Sequence, residues 1–173
     1  MTATTIRPAR ESELEALRAI EMDAVIALID AGVPFPGEPH PLSLEQLGSY
    51  LTDGLLIVAA DAAGTPVGFL AAEEMDGMLY IAEIDVLRRL HGKGIGRSLM
   101  LAAIDSARRR GLSAVTLTTD RHVVFNYRFY RTLGFVEPDA TAMPDSLRAI
   151  LCDEVANGMD AERRAGMVLR LSD

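Results

Sequence analysis

Apolar positions follow two different periods along the chain, and the switches between these periods predict the order of the structural elements. Where apolar residues recur every three or four positions, the pattern predicts helices. These helices are expected at residues 11–31, 44–51, 95–110, 123–133 and 147–155, with Ser12 and Ser43 as N-terminal caps. Continuous apolar runs predict strands near Ile6 and at residues 55–60, 67–72, 78–87, 114–119, 135–136 and 167–171.

The order of these elements indicates a mixed α/β or α+β fold in which strands and helices share one core. Residues 61–66 are turn-forming, so the strands on either side of them are expected to pair as an antiparallel hairpin. Residues 32–41 contain four prolines and two glycines, which favours an ordered loop over a helix or a central strand. At 173 residues, the chain is expected to form one domain, residues 1–173.

Composition narrows the class of protein. Hydrophobic residues make up 49% of the chain and charged residues 24%, as in ordinary folded proteins. A net charge of -8 argues against nucleic acid as the main partner, because phosphate recognition depends on clustered lysine and arginine. Cys152 is the lone cysteine, so an intramolecular disulfide cannot form, which suggests the reducing cytoplasm. Its side chain is expected to be a packed thiol. Neither a signal-peptide pattern nor a membrane-spanning apolar run is recognisable, so no membrane association is expected.

The most informative segment is IAEIDVLRRLHGKGIGRSLM, where a strand ending at residue 86 or 87 leads into a helix that begins within residues 94–97. Glycines stand at positions 92, 94 and 96 between the two elements. Glycines in such a turn let the backbone approach a ligand closely, while the free amides and the positive helix dipole attract an anion. The turn therefore predicts a phosphate or diphosphate site. Lys93 and Arg97 either add charge to that site or are ordinary solvated side chains.

Two better-known glycine motifs do not fit this turn. A P-loop requires Gly-Lys-Ser/Thr, but Gly96 is followed by Arg97. A dinucleotide fingerprint requires Gly or Ala three residues after Gly94, where Arg97 stands instead.

The turn resembles the acetyl-CoA diphosphate motif of the GNAT superfamily of acyltransferases, Gln/Arg-x-x-Gly-x-Gly/Ala. Here it reads His91-x-x-Gly94-x-Gly96, with His91 in place of Gln or Arg. A second resemblance is FYRTLGF at residues 129–135, which is similar to the element that lies beside the cofactor thiol. The stretch TTDRHVVFNYRFY resembles a subgroup with an Asn three residues before the Phe-Tyr pair. The resemblance implies a central mixed, mostly antiparallel twisted sheet of six to seven strands, flanked by helices on both faces. The cofactor is expected to enter where two central strands splay apart.

The resemblance also implies which residues contact acetyl-CoA. Tyr130 holds the position that stabilises the departing thiolate, although a core-filling tyrosine is the alternative. Asn126 is the expected pantetheine contact, but many relatives carry that Asn where this chain has Val123. For His91 the alternative is a solvated loop histidine. The complete set of expected cofactor contacts is Val86, His91, Gly92, Lys93, Gly94, Ile95, Gly96, Arg97, Ser98, Asn126 and Tyr130.

The acceptor amine must lose a proton before it can attack a thioester, so the site needs a base or a water chain. Glu83 is the first candidate, because it lies on the strand that leads to the glycine turn; a structural or substrate-orienting carboxylate is the alternative. Strand alternation places Asp85 on the same face, which makes it the reserve. The three histidines and Cys152 show no metal-ligand spacing, so no metal is expected.

These expectations predict an N-acetyltransferase that moves an acetyl group from acetyl-CoA to a primary amine of a small molecule or peptide. By resemblance, the acceptor pocket comes from residues 24–50 and the segment after Phe135, with Phe35, His40 and Tyr50 as candidate wall residues. His122 is either a substrate contact or a solvated loop residue. The alternatives are a noncatalytic CoA-binding module on the same fold and a nucleotide-binding enzyme that uses ATP or NAD. A homodimer, common among relatives, is left open.

Overall fold

The computed structural model describes residues 4–171 of the chain. Within that range the chain forms six strands and five α-helices. The strands are β1 (Thr5–Pro8), β2 (Leu55–Ala60), β3 (Pro66–Met75), β4 (Met78–Val86), β5 (Ala114–Asp120) and β6 (Arg164–Arg170). The helices are α1 (Leu14–Asp30), α2 (Leu44–Thr52), α3 (Ile95–Arg109), α4 (Val124–Thr132) and α5 (Asp145–Ala156). Of these helices, none is both long and apolar enough to cross a membrane.

The six described strands form one mixed sheet in the order β1-β2-β3-β4-β5-β6. Every neighbouring pair is antiparallel except β4 and β5, which run parallel because α3 crosses over between them. A short turn at Asp76 and Gly77 joins β3 to β4. The predicted fold class, a mostly antiparallel mixed sheet with flanking helices, is confirmed.

Side-chain alternation along β2 shows how the sheet serves two hydrophobic layers. Ile57 and Ala59 pack on one side with α3, whereas Leu56 and Val58 pack on the other side with α1 and α2. Helix α5 covers the far end of this second face, where Leu147 meets Val168. Helices therefore lie on both faces, as predicted.

A β-bulge in β4 changes the direction of the residues that follow it. Ile81 pairs with Ala72 and packs on the α3 face, but Glu83 pairs with Ala71, so Ala82 is the extra residue. Paired residues of antiparallel strands share a face, and Ala71 belongs to the α1 face of the sheet. Without the bulge, simple alternation from Ile81 would direct Glu83 toward α3.

The parallel pairing of β4 with β5 is short. It extends only from Leu79 opposite Val115 to Ile81 opposite Leu117, although both strands continue for several more residues. Beyond Ile81 the two strands separate and leave a gap in the sheet that connects its two faces. The predicted splay of two central strands is therefore present at this point.

Several local predictions needed correction. Ser12 does not cap α1: residues 11–13 form a 3₁₀ turn, and the Glu13 carboxylate accepts the hydrogen bond from the Arg10 amide. Ser43 does cap α2, through a reciprocal pair of bonds with Gln46. Cys152 is exposed rather than packed, because Leu147 and Leu151 define the buried side of α5 and the next residue turns outward. The extended piece at residues 135–136 is only an isolated bridge between Val136 and Val168.

Candidate active site

The gap between β4 and β5 opens into a cavity of about 1020 Å³. Its lining comes from both faces of the sheet. Residues at the start of α3 and along α4 line one end, while α1, the loop after it, and the α5–β6 region line the other end. The cavity therefore passes through the sheet, and two molecules can meet in the gap from opposite faces.

The turn between β4 and α3 leaves main-chain amides free at one end of the cavity. Helix α3 begins at Ile95, and Gly94 precedes it with φ at 83°, a left-handed conformation that favours glycine. A Cβ atom on Gly92 or Gly94 would have no neighbour within 4 Å, so space remains open above the turn. The first amides of a helix carry partial positive charge. This end of the cavity, which we call the phosphate turn (residues 91–97), fits a diphosphate.

Most of the predicted cofactor contacts line the cavity. Lys93 and Ser98 do not; the Ser98 hydroxyl instead donates to the carbonyl of Gly94 at 3.2 Å. The predicted contacts that do line it are Val86, His91, Gly92, Gly94, Ile95, Gly96, Arg97, Asn126 and Tyr130.

His91 is exposed to solvent, but its ring has one specific partner. Its Nε2 lies 2.7 Å from the carbonyl oxygen of Val86. Because a carbonyl only accepts hydrogen bonds, this contact requires the proton to be on Nε2. The ring therefore ties the start of the phosphate turn to the end of β4.

Tyr130 lies where the phosphate turn and the gap meet. The residue is 8% exposed, and its ring packs against Phe129 and Phe135, with centroid distances of 5.2 and 6.1 Å. Burial raises the pKa of Tyr130, and the nearby carboxyl groups of Glu83 and Asp85 raise it further. The phenol therefore stays protonated at any working pH and acts as a hydrogen-bond donor.

Glu83 and Asp85 project from β4 into the cavity on the same face, as alternation predicted, and the bulge makes that the α1 face. Burial is the main cause that raises the pKa of each carboxyl group, and the negative charge of Glu83 raises that of Asp85 further. The Oδ2 atom of Asp85 is buried and is the one such side-chain atom in residues 4–171 without a hydrogen-bond partner. Because the charge of Glu83 raises the pKa of Asp85, ionising both carboxyl groups at once is disfavoured.

Glu21 is a third carboxyl group in the same place, and the sequence analysis missed it. Both of its oxygens accept the amide hydrogen of Leu42, at 3.1 and 3.0 Å. Burial, followed by the charge of Glu83, raises the pKa of Glu21 to about 7. The sequence did carry a signal for Glu21. It follows Leu17 by four residues and precedes Ala24 by three, and this spacing places it on the buried stripe of α1. We call Glu21, Glu83 and Asp85 the carboxyl cluster.

The wall opposite the carboxyl cluster is built from paired charges, which sequence reasoning also missed. Arg164 on β6 donates to both oxygens of Glu154 on α5 and to the Thr118 hydroxyl, at 2.7 to 2.8 Å. Arg163 pairs with Asp120 at 2.8 Å. Both arginines are therefore ion-paired, although the charge of Arg164 still acts to lower the pKa of Glu83. Thr118 is 46 residues from Arg164, and Asp120 is 43 residues from Arg163. Glu154 is on a different element from Arg164, so no local spacing in the sequence reveals these pairs.

Only some of the residues predicted to contact the acceptor line the cavity. Phe35 and His40 line the cavity, as predicted. Tyr50 does not; its ring is half-buried against the α1 and α2 core. His122 is exposed outside the cavity, with its amide bonded to Asp120. Over residues 4–171, no group of three His, Cys, Asp or Glu side chains has an arrangement suited to a metal ion.

Comparison with known proteins identifies the family to which this chain belongs. A family model described as the Acetyltransferase (GNAT) family matches residues 16–135. The chain belongs to the GNAT acetyltransferase family. The matched range includes the bulged strand β4, the phosphate turn and the FYRTLGF segment. The resemblance inferred from the motifs is thus confirmed, and the family supports acyltransferase activity.

Curated relatives of this GNAT chain carry different substrate names. It is 33% identical over 130 residues to a mycothiol acetyltransferase of Renibacterium salmoninarum, a match that covers 69% of this chain and 38% of the relative. It is 30% identical over 146 residues to an IAA acetyltransferase of Azospirillum brasilense, covering 80% of this chain and 91% of the relative. The chain spans less than two fifths of the length of the mycothiol acetyltransferases that it matches.

Solved structures share the fold over nearly the whole chain. A GNAT-family acetyltransferase from Staphylococcus aureus matches with a TM-score of 0.73 at 17% identity, covering 98% of this chain and 100% of that one. An N-acetylglutamate synthase from Neisseria gonorrhoeae, crystallised with coenzyme A and N-acetyl-glutamate, also gives a TM-score of 0.73, at 19% identity. That match covers 100% of this chain and 36% of the synthase. At these identities the likeness concerns the fold.

Proposed function

We propose that this GNAT protein is an acetyl-CoA-dependent N-acetyltransferase that acts on a primary amine by direct transfer. The observation that carries the proposal is the through-sheet cavity, which has main-chain amides at one end and a carboxyl cluster at the other. Acetyl-CoA supplies the activated acetyl thioester. Holding the thioester and the amine together in one gap would supply much of the rate enhancement, because a two-molecule encounter becomes a reaction between bound neighbours.

We propose that the phosphate turn holds the diphosphate through main-chain amides, with Arg97 adding charge at its rim. Val86 and Asn126 would hold the pantetheine arm further into the gap. His91 already occupies the carbonyl of Val86, so the amide hydrogen of Val86 is the group that remains for this arm. Main-chain recognition explains why His91 can replace the Gln or Arg of the family motif.

In this proposal the Glu83 and Asp85 pair takes the first proton from the acceptor ammonium. A carboxylate whose pKa is raised by burial is a stronger base than a solvated one, which suits it to work near neutral pH. The amine nitrogen then bonds to the acetyl carbon as the carbon–sulfur bond breaks. The second proton of the nitrogen passes to the sulfur, which leaves as the thiol. The carboxyl pair then releases the first proton to solvent.

Tyr130 would stabilise the sulfur as negative charge develops on it. A tyrosine with a raised pKa is a weaker acid than a thiol of pKa about 8.5, so complete proton transfer from Tyr130 is unfavourable. Its role in the proposal is therefore a hydrogen bond to the sulfur that strengthens in the transition state.

The proposal is tested by measuring thiol release when the protein and acetyl-CoA meet a broad set of primary amines. Release that requires both protein and amine, with the N-acetylated product identified by mass spectrometry, is the expected result. Tight binding of CoA by calorimetry with no turnover on any amine would instead indicate a noncatalytic CoA-binding module.

A further inference from the structure

The loop between α1 and α2 crosses the acceptor end of the cavity. We call residues 33–41 of this loop the strap. The members of the strap that line the cavity are Val33, Pro34, Phe35, Pro36, Gly37, Glu38, Pro39 and His40. Four of its nine residues are prolines, which restrict the backbone and reduce the entropy that the strap loses on folding.

The strap is fixed at both ends by α1. At its start, the amide of Val33 donates to the carbonyl of Leu28 at 3.0 Å. Immediately after its end, the amide of Leu42 donates to Glu21, and the carbonyl of Leu42 accepts from Arg18 at 3.0 Å. Glu21 therefore lines the cavity and anchors the strap at the same time.

The middle of the strap reaches the opposite wall. A Cβ atom on Gly158 would lie 2.8 Å from the Cβ of Pro36, so the proline packs directly on the backbone of Gly158. Gly158 has φ at 97°, a conformation that disfavours any other residue. Because Met159 and Asp160 beside it line the cavity, this contact joins the strap to the acceptor wall.

Within the described residues, the carboxyl cluster makes no ion pair of its own. The nearby Arg164, whose charge acts on Glu83, is paired with Glu154, and Arg18, whose charge acts on Glu21, is paired with Glu15. Arg163 is paired with Asp120. The buried Oδ2 of Asp85 lacks a partner within the described residues. A cationic group can satisfy these carboxyl groups, whereas a free carboxylate on the acceptor would be repelled.

We infer that the strap closes the acceptor end against Gly158 and restricts the enzyme to small cationic amines that lack a carboxylate, excluding amines at the ends of polypeptides. The inference rests on the proposed function and narrows its acceptor. A small ammonium group fits between the strap and the carboxyl cluster. On this inference, an extended tetrapeptide, about 13 Å long, would collide with the strap where Pro36 meets Gly158.

The test compares matched acceptors. One set contains the amides of the standard amino acids, the second contains tetrapeptide amides that begin with the same residues, and the third contains the free amino acids. The amide and its tetrapeptide share a similar amine pKa and differ in length. The free amino acid has a carboxylate in place of the amide and a more basic amine, so its kcat/KM is compared per deprotonated amine. The inference predicts at least one amide whose kcat/KM exceeds those of its tetrapeptide and free amino acid by about 100-fold or more, corresponding to about 2.7 kcal/mol.

A variant of the strap tests whether the strap causes the preference for the amide over the tetrapeptide. Pro36→Gly removes the ring that meets Gly158 and loosens the strap, so the preference for the amide over the tetrapeptide is expected to fall about tenfold. Pro138→Gly makes the same chemical change outside the cavity and should leave the preference unchanged. Calorimetric binding of CoA checks that each variant is folded, and Pro36→Ala serves if the glycine variant is not.

The outcomes are distinct. Wild-type turnover of tetrapeptides at rates equal to those of the amides overturns the inference and leaves the proposed function standing. An unchanged preference in folded Pro36→Gly or Pro36→Ala also overturns it, as does faster turnover of the free amino acids. If no acceptor in any of the three sets is acetylated, the inference fails, and the broad amine screen then decides whether the proposed function stands.

Discussion

The two ends of the cavity are built in different ways. The phosphate turn is a continuous segment, residues 91–97, and the groups proposed to bind the diphosphate are main-chain amides at the start of α3. The acceptor end brings together α1, the strap, β4 and the α5–β6 region, and the groups proposed to act there are side chains. Binding through the main chain would tolerate changes in side chains such as His91, whereas a change in one carboxyl group would alter the chemistry of the acceptor end. We expect variants at one end to alter one substrate's kinetics without altering the other's.

The largest effect is expected at Tyr130, where the two ends meet. Tyr130→Phe removes the hydrogen bond to the sulfur but keeps the packing against Phe129 and Phe135. We expect kcat to fall by roughly 10² to 10³ with little change in the KM values, because the bond matters mainly in the transition state. Tyr127→Phe on the same helix is the control, since Tyr127 bonds to Glu137 outside the cavity. Equal losses in the two variants would show that Tyr130 has no special role.

The next effect is expected at the carboxyl cluster. Glu83→Gln should lower kcat/KM for the amine by roughly 10² near neutral pH, with Asp85 partly replacing the lost base. The deficit should shrink as the pH rises toward the pKa of the amine, because more of the amine is then already deprotonated. Glu73→Gln, on the exposed part of β3, is the matched control. A deficit that stays constant from pH 7 to pH 10 would contradict a role as base.

A smaller effect is expected in the phosphate turn. Gly94→Ala places a Cβ on a residue with φ at 83°, which costs about 1 kcal/mol of folding stability and shifts the amides of the turn. We expect the Kd of CoA to rise about tenfold while the choice among amines stays unchanged. Gly111→Ala has matched strain, since Gly111 has φ at 69° and equally open surroundings at the far end of α3. Equal CoA affinity of the two variants would argue against a main-chain phosphate site.

The smallest effect concerns stability at the acceptor end. The folded protein raises the pKa of Glu21 from 4.5 to about 7, so its proton stabilises the fold below about pH 4.5. That contribution is lost as the pH rises through about 7. Glu21→Gln has no such carboxyl group and does not lose this stability as the pH rises. The free energy of unfolding of the variant minus that of the wild type should therefore increase by about 1 kcal/mol between pH 5 and pH 8, a figure that allows for the partial exposure of Glu21.

Urea unfolding at both pH values measures this difference for Glu21→Gln. Glu74→Gln, which changes an exposed carboxylate on β3, should show no such trend. A pH-independent difference for Glu21→Gln would mean that Glu21 titrates like a solvated residue.

The contrast between the two ends also explains how far the sequence could predict the molecule. The phosphate turn was predictable because its glycines are local and mark a strand-to-helix connection. The mixed, mostly antiparallel sheet was predicted through the family resemblance of the two motifs, and its order of strands was not predicted. The acceptor end depends on long-range contacts, such as Glu21 with Leu42 and Pro36 with Gly158, which no local spacing shows. The bulge at Ala82 was likewise not read from the sequence, although it directs Glu83 and Asp85 toward α1.

Side-chain environments were the other weak point of sequence reasoning. Cys152 was expected to be packed, and only the orientation of α5 on the sheet shows it to be exposed. Tyr50 was expected in the acceptor wall, but the angle of α2 turns its ring into the α1 and α2 core. The orientation of a helix on a sheet depends on the whole packed layer, so a helix pattern alone identifies the buried stripe and not its neighbours.

A crystal structure with bound acetyl-CoA would show whether acetyl-CoA reaches the amine through the gap between β4 and β5. We expect the diphosphate oxygens to accept hydrogen bonds from the amides of residues 92–97, with the thioester sulfur within hydrogen-bond reach of the Tyr130 hydroxyl. A thioester bound elsewhere, or a Tyr130 hydroxyl directed away from the sulfur, would contradict this expectation.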